Sequence, residues 1–364
     1  MCQGVGRDRT VGTVGVVPEV AVLTLAELTT LRLGGPVGRL ARADSAPELV
    51  AAIRAADAGD EPVLLVGGGS NLVVADEGWS GVTVLIRTEG IDVRRDGGDV
   101  LLRVAAGADW DSLVARAVAE GWAGIECLSG IPGMTGATPV QNVGAYGQDV
   151  AQTLTDVTVW DRSAGRIDVL STVDCALGYR TSRFKHSERF VVLDVGFRLP
   201  VSPLSKPIAY AELAGRLDVH TGAQVPLADV RDAVLELRRG KGMVLDPADH
   251  DTWSAGSFFT NPILDTTELT AFERRLPPGS PYPSWPDESG TKLSAAWLIE
   301  RSGFGRGYGD GPVRLSTKHT LALTNRGTAR TSDLLTLART VRDSTRTRFG
   351  VELSPEPKFV NCTL

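Results

Sequence analysis

The stretch VLLVGGGSNLVVA, residues 63–75, decides between two folds that both place glycines after an apolar strand. A dinucleotide-binding fingerprint needs a helix immediately after its glycines, because the first-turn amides of that helix face the pyrophosphate. Here the glycines at 67–69 run into SNLVVAD, whose adjacent valines read as a second strand. The Rossmann reading fails this context test. A P-loop fails as well, since the chain contains no G-x-x-x-x-G-K-[ST]. What survives is a general property of glycine: without a Cβ, successive main-chain N–H groups can approach an anion and turn toward it.

A second glycine-rich stretch, SGIPGMTGATPVQNVGAYG, spans residues 129–147 and has no charged residue. Ordinary turn chemistry accounts for either loop alone. Two in one region, the second carrying Gln141 and Asn142 as extra hydrogen-bonding groups, favour a shared ligand.

The chain has 364 residues, 42% apolar and 23% charged, which suffices for two or three domains. A net charge of −6 argues against a nucleic-acid partner, which normally demands a basic face. No apolar run approaches the roughly eighteen residues needed to cross a bilayer, and the N-terminus lacks a secretion signal. A cytoplasmic protein without membrane contact is expected. Cys2, Cys127, Cys175 and Cys362 are scattered, with no C-x-x-C and no histidine at ligand spacing. Reduced thiols are expected, and neither disulfides nor a metal site.

Residues 1–19 lack helical or strand period and read as a mobile arm. GVTVLIR continues the first strands. DVLLRVAAGADWDSLVARAVAEGWAG gives a strand, an Asp-rich helix start and an amphipathic helix stopping at Gly121 or Gly124. Further strands are expected at TLTDVTVWDR, RIDVLS and RFVVLDVGFRL. Helices are expected at LADVRDAVLELRRGKG, stopping at Gly240, at SAAWLIERSG, and at TSDLLTLARTVRDSTRTRFG. Each of the last two has a Ser or Thr near its start and a Gly after its end. LPPGSPYPSWP, 276–286, reads as a loop.

Three clusters bear on chemistry. Ser257 in AGSFFTNP has no nucleophile-elbow setting, and the histidines at 186, 220, 250 and 319 form no recognisable triad order, so a hydrolase is disfavoured. Ser257 is either a turn serine or a proton donor held by neighbours. YRTSRFK, 179–185, gathers Arg180, Arg183 and Lys185, either as a solvated strand or as a carboxylate-binding group. DPADHD, 246–251, reads as a solvated loop in preference to a metal site.

With these pieces in order, the chain resembles the UDP-N-acetylenolpyruvoylglucosamine reductase (UDP-N-acetylmuramate dehydrogenase) family. The resemblance runs from about Leu28 to Phe359 through LTTLRLGG, LLVGGGSNLVV, LSGIPGMTGATPVQNVGAYG, YRTSRFK, GSFFTNP, KLSAAWLIE and SPEPKF. It implies an α+β architecture. Two subdomains form the FAD-binding fold of the vanillyl-alcohol oxidase type, and a third α+β domain covers the substrate. The boundaries it suggests are 20–87 with 350–364, 88–240, and 241–349.

The resemblance also implies FAD as cofactor and NADPH as co-substrate. The substrate is UDP-N-acetylglucosamine enolpyruvate, and the chain acts as a monomer in peptidoglycan precursor synthesis. FAD would be held by Gly67, Gly68, Gly69, Ser70 and Asn71 and by Gly130, Ile131, Pro132, Gly133, Gly136, Ala137, Gln141, Asn142, Gly144, Ala145, Tyr146 and Gly147. On this resemblance Arg180 and Glu356 stabilise the enolate-like charge and Ser257 protonates the neighbouring carbon. Tyr210, Lys241, Asn261 and Lys292 bind the sugar nucleotide. YAEL, 210–213, places the chain with the family's longer variety, whose tyrosine loop folds over the substrate.

Two departures stand out: the loop between Lys241 and Ser257 is longer than the commoner pattern, and Pro357 and Lys358 replace a more usual valine and arginine. Two alternatives remain, a different FAD oxidoreductase on the same fold and a non-catalytic flavin- or nucleotide-binding protein. The first would keep the glycine loops and discard GSFF, YAEL and the final glutamate, all of which are present, and the second is disfavoured by the joint presence of Arg180, Ser257 and Glu356.

Overall fold

The computed structural model describes residues 23–364, so the arm expected over residues 1–19 and Cys2 lie outside it. The chain opens with β1 (Val37–Ala43), α1 (Ala46–Ala58), β2 (Val63–Val66), β3 (Leu72–Val74) and β4 (Trp79–Ile86). β1, β4 and β2 form a parallel sheet in that order. Leu49, Ile53 and Ala56 of α1 are buried with Val82 and Val84 of β4. The sequence reading passed over β1 and α1, although α1 carries start signals: the Ser45 hydroxyl accepts from Glu48 N, and a proline lies in the first turn.

A five-stranded antiparallel sheet follows. It is built from β5 (Ile91–Asp96), β6 (Asp99–Ala105), β9 (Leu154–Asp161), β10 (Arg166–Ser171) and β11 (Phe190–Pro200), in the order β10-β9-β11-β6-β5. Between β6 and β9 run α2 (Trp110–Ala119), the second glycine-rich loop and the short pair β7 (Gly144–Ala145) and β8 (Gln148–Asp149). α3 (Thr172–Cys175) lies between β10 and β11.

β11 is buried on both faces, and a register shift between Val192 and Asp194 divides it. Before the shift, Val191 and Leu193 join the core under α1. After it, Val195, Phe197 and Leu199 pack with Trp110 and Leu113 of α2. A single extra residue exchanges the faces, because side chains alternate with period two. The fully apolar run concealed this bulge.

α4 (Ala211–Arg216) and α5 (Leu227–Gly240) pack through Leu213, Ala214, Val230, Ala233 and Val234. The turn after α5 is made by Gly242 at φ +67°, two residues beyond the stop read at Gly240.

The third region contains β12 (Ile263–Leu264), α6 (Thr266–Glu273), β13 (Ser284–Asp287), β14 (Gly290–Leu293), α7 (Ala295–Arg301), β15 (Val313–Leu315), β16 (Leu323–Asn325) and α8 (Thr331–Phe349). Its core gathers Phe258, Phe259, Phe272, Leu298, Leu334 and Phe349. The end of the Pro-rich stretch is a strand, because Ser284, Trp285 and Pro286 pair with β14. Proline is tolerated there because β13 is an edge. After Gly350 at φ +73° the chain returns as β17 (Lys358–Val360), which pairs in parallel with β3. That return carries Glu356 into the middle of the molecule.

The start of α8 departs from expectation. Its N-cap residue is Arg330, and no local serine or threonine accepts the first amides. Asp76 does so instead, taking Thr331 N at 2.7 Å and Ser332 N at 3.1 Å across 255 and 256 residues of chain. Burial pushes the Asp76 carboxyl up, but these amides outweigh it and hold the group below its ordinary value. Asp76→Ala is therefore expected to lower stability by about 1–2 kcal/mol, as for loss of a helix cap. The Asp76 contribution is complete above the ordinary carboxylate pKa and fades as pH falls through the depressed value. Urea unfolding at pH 7 and in acid checks both, with the difference between variant and parent shrinking in acid.

Candidate active site

The two glycine-rich loops lie directly against each other. Ser70 Oγ donates to the Pro132 carbonyl at 3.0 Å, and the Asn71 side-chain amide donates to Gln141 Oε1 at 3.0 Å. A Cβ on Gly68 would sit 2.7 Å from Gly133 Cα, and one on Gly69, at φ +63°, would sit 1.8 Å from the Leu28 carbonyl oxygen. The first reason for these glycines is thus that the protein folds on itself, with room for a ligand second.

The loops nevertheless fit an anionic cofactor. Among the described residues, the amides of Gly68, Gly69, Ser70 and Asn71 have no protein acceptor, and Gly69 is buried. Buried N–H groups are nearly always paired, so the free amide of buried Gly69, flanked by three half-buried free amides, suits a bound anion. Other amides of the expected cofactor set are already engaged. Gly130 N donates to Asp111 Oδ1 at 2.6 Å, Gly136 N to the Ala106 carbonyl and Ala137 N to the Met134 carbonyl. Ile131 and Gly133 amides have no acceptor among the described residues. Asn142, at φ +45°, joins its side chain to Gly178 O and Ala151 N. Gly144, Ala145 and Gly147 shape the β7–β8 hairpin, whose left-handed corner is Tyr146 at φ +49° and Gly147 at φ +88°.

Beside this wall stands Glu356. Its Oε1 is 3.2 Å from Arg180 Nε and accepts from Gln141 Nε2 at 3.2 Å. Burial pushes its carboxyl above the ordinary range, while Arg180 and Lys185 pull it back. Arg180 holds φ +52° and donates to the Asn142 carbonyl at 3.3 Å and the Gly144 carbonyl at 2.8 Å. Lys185 Nζ takes the Arg180 carbonyl at 2.7 Å, which braces that strained residue. Within YRTSRFK, Arg180 and Lys185 are thus held against the site, while Arg183 is exposed near Asp174.

Ser257 reaches the same place through the backbone. Phe258 accepts from Glu356 N at 2.9 Å and donates to the Leu321 carbonyl at 2.7 Å. Ser257 Oγ lies 3.4 Å from His319 Nε2, a partner that sequence spacing could not offer. Asp251, read in the sequence as part of a solvated loop, is buried. It accepts from Thr317 N at 3.0 Å and pairs with Arg326 at 3.0 Å, bracing the segment before His319. Among the described residues no group of His, Cys, Asp or Glu could hold a metal ion.

The expected substrate residues fall into two groups. Asn261 lies beside the Tyr179 hydroxyl, and Lys292 Nζ stands 4.1 Å over the Tyr179 ring and 3.1 Å from Asp287. Tyr210 packs edge-on against Tyr146 at 5.6 Å, with Lys241 Nζ over Tyr146 and 2.6 Å from Glu212. Between them lies Arg238, which the sequence reading missed. Its Nε has no partner among the described residues, and burial lowers its pKa to about 10. The readable signal was its place four residues after buried Val234 on the apolar face of α5.

The chain also matches known proteins along most of its length. Residues 38–171 match the family described as FAD binding domain, and residues 246–360 match UDP-N-acetylenolpyruvoylglucosamine reductase, C-terminal domain. The UDP-N-acetylenolpyruvoylglucosamine reductase of Thermobifida fusca is 57% identical over 93% of this chain and 97% of its own length. That of Streptomyces coelicolor is 54% identical over 97% and 93%. The crystal structure of the Thermus caldophilus enzyme covers 94% of this chain and 99% of its own, with a TM-score of 0.63 at 25% identity. Identity of this extent along nearly the whole chain shows that it belongs to the UDP-N-acetylenolpyruvoylglucosamine reductase family.

Proposed function

We propose that this chain reduces the enolpyruvyl ether of UDP-N-acetylglucosamine to UDP-N-acetylmuramate, with NADPH as electron source and FAD as carrier, in peptidoglycan precursor synthesis. The observation that carries the reading is the tie between Glu356 and Arg180 at 3.2 Å. It is anchored to the second glycine loop through Gln141, and its backbone is bonded to the neighbour of Ser257.

Bound FAD supplies hydride acceptance from NADPH and hydride delivery to the substrate. The free amides from Gly68 to Asn71 suit its diphosphate, and main chain near Ile131 and Gly133 suits an apolar ring. Once hydride reaches the terminal vinyl carbon, negative charge grows on the adjacent carbon and spreads into the substrate carboxylate. Arg180 stands ready to stabilise that charge, a kind of contribution worth about 3–4 kcal/mol per well-placed donor in other enzymes. Glu356 holds the Arg180 guanidinium at that charge through their 3.2 Å contact. Ser257 gives its hydroxyl proton to the carbon that carries the charge. Lys241 and Lys292, each with an aromatic ring beneath it, suit the diphosphate of the sugar nucleotide. The Tyr210 ring, 45% exposed on its loop, is placed to cover it.

Stopped-flow traces of the two half-reactions test these roles separately. Ser257→Ala is expected to leave flavin bleaching by NADPH near normal and to slow re-oxidation by the enolpyruvyl substrate by about 10²–10⁴-fold. Arg180→Met is expected to slow the same half-reaction by about 10²–10³-fold. Equal loss in both half-reactions would remove these assignments. Gly68→Ala, whose new methyl meets Gly133 Cα, is expected to purify with sub-stoichiometric FAD by absorbance while keeping a native far-ultraviolet spectrum.

A further inference from the structure

The partner of Ser257 has a function of its own. His319 sits in a segment fixed by several bonds: its N–H reaches Ser316 Oγ at 3.2 Å, its carbonyl accepts Ala322 N at 3.1 Å, and Ser316 N donates to the Ala322 carbonyl at 2.8 Å. Thr317 is held by Asp251. The bond from Phe258 N to the Leu321 carbonyl, 2.7 Å, sets this segment in register with Ser257. The imidazole therefore comes 3.4 Å from the serine oxygen through a braced backbone.

We propose that His319 is a positioning residue for Ser257, its Nε2–H donating to Ser257 Oγ so that the hydroxyl proton is turned toward the substrate carbon. The step balances simply. The O–H bond of Ser257 breaks, a C–H bond forms, and the serinate keeps the electron pair. The Nε2–H bond of His319 stays intact and stabilises that oxygen. Water reprotonates the serinate afterwards. A neutral ring suits this task, and burial, then the nearby Lys241 ammonium, lowers the His319 pKa to about 4. The inference rests on Ser257 acting as the proton donor.

The experiment compares His319→Leu, His319→Gln and Ser257→Ala holoenzymes in both half-reactions, in water and in deuterium oxide. His319→Leu is expected to slow substrate-driven re-oxidation about ten- to hundredfold. Its solvent isotope effect should rise, while bleaching by NADPH stays normal. His319→Gln keeps an N–H donor and is expected to recover most of the loss. Adding His319→Leu to Ser257→Ala should cost nothing further. His319→Phe serves in place of the leucine variant should that protein fail to retain FAD. Equal losses in the Leu and Gln variants overturn the proposal, as does a full additional loss in the double variant or a defect confined to substrate half-saturation. Wild-type re-oxidation by Ser257→Ala would instead overturn the proton-donor reading on which it rests.

Discussion

One carboxylate largely withdrawn from water organises this protein. A charge removed from water is tolerated only when paired and hydrogen-bonded, and Glu356 meets that demand with Arg180 and Gln141. The partners come from the second glycine loop and the segment after α3, while Glu356 arrives on the returning C-terminal chain. Asn71 closes the arrangement from the first loop, donating to Gln141 Oε1 and to the Glu356 carbonyl at 3.4 Å. Four stretches far apart in sequence therefore have one mutually consistent position.

The glycine loops can be understood on that basis. They form a seam between subdomains, where Gly68 meets Gly133 with no space for a methyl group. Among the described residues, the amides from Gly68 to Asn71 are left without a protein acceptor. Cofactor capacity is thus a by-product of how the seam closes.

Much of this was legible along the chain. The strand after GGGSN became β3, and the helix starting near Ala295 has its serine cap, Ser294, as expected. α1 and Arg238 were passed over despite local signals, but the rest of what escaped reading had no such signal. The cap of α8 is supplied by Asp76, and the bulge in β11 is hidden inside an apolar run that looks alike in either register. Asp251 appears in a run of acids that resembles a solvated loop, yet it is buried against Thr317 and Arg326. Arg180, Ser257 and Glu356 came from resemblance, because nothing in local spacing brings them together. His319 was invisible because its partner lies 62 residues away.

The cations of the site raise a question that net charge does not answer. The chain carries −6 overall, yet Arg180, Lys185, Arg238, Lys241 and Lys292 converge on one region. Three of them have carboxylate partners: Arg180 has Glu356, Lys241 has Glu212 and Lys292 has Asp287. On the proposed function, a dianionic diphosphate competing for Lys241 would exchange one anion for another, so the desolvation of the ammonium is largely met beforehand. The exposed Lys241–Glu212 pair is the weaker opponent, since a half-solvated ion pair contributes only about 0–1 kcal/mol. The Arg180–Glu356 pair is less exposed and is bonded on several sides, so on the proposed function it would stay together when ligand arrives and present a fixed guanidinium. On the proposed function, replaceable pairs would serve binding and a lasting pair would serve charge stabilisation, which is what one site needs in order to hold a nucleotide loosely and an enolate tightly.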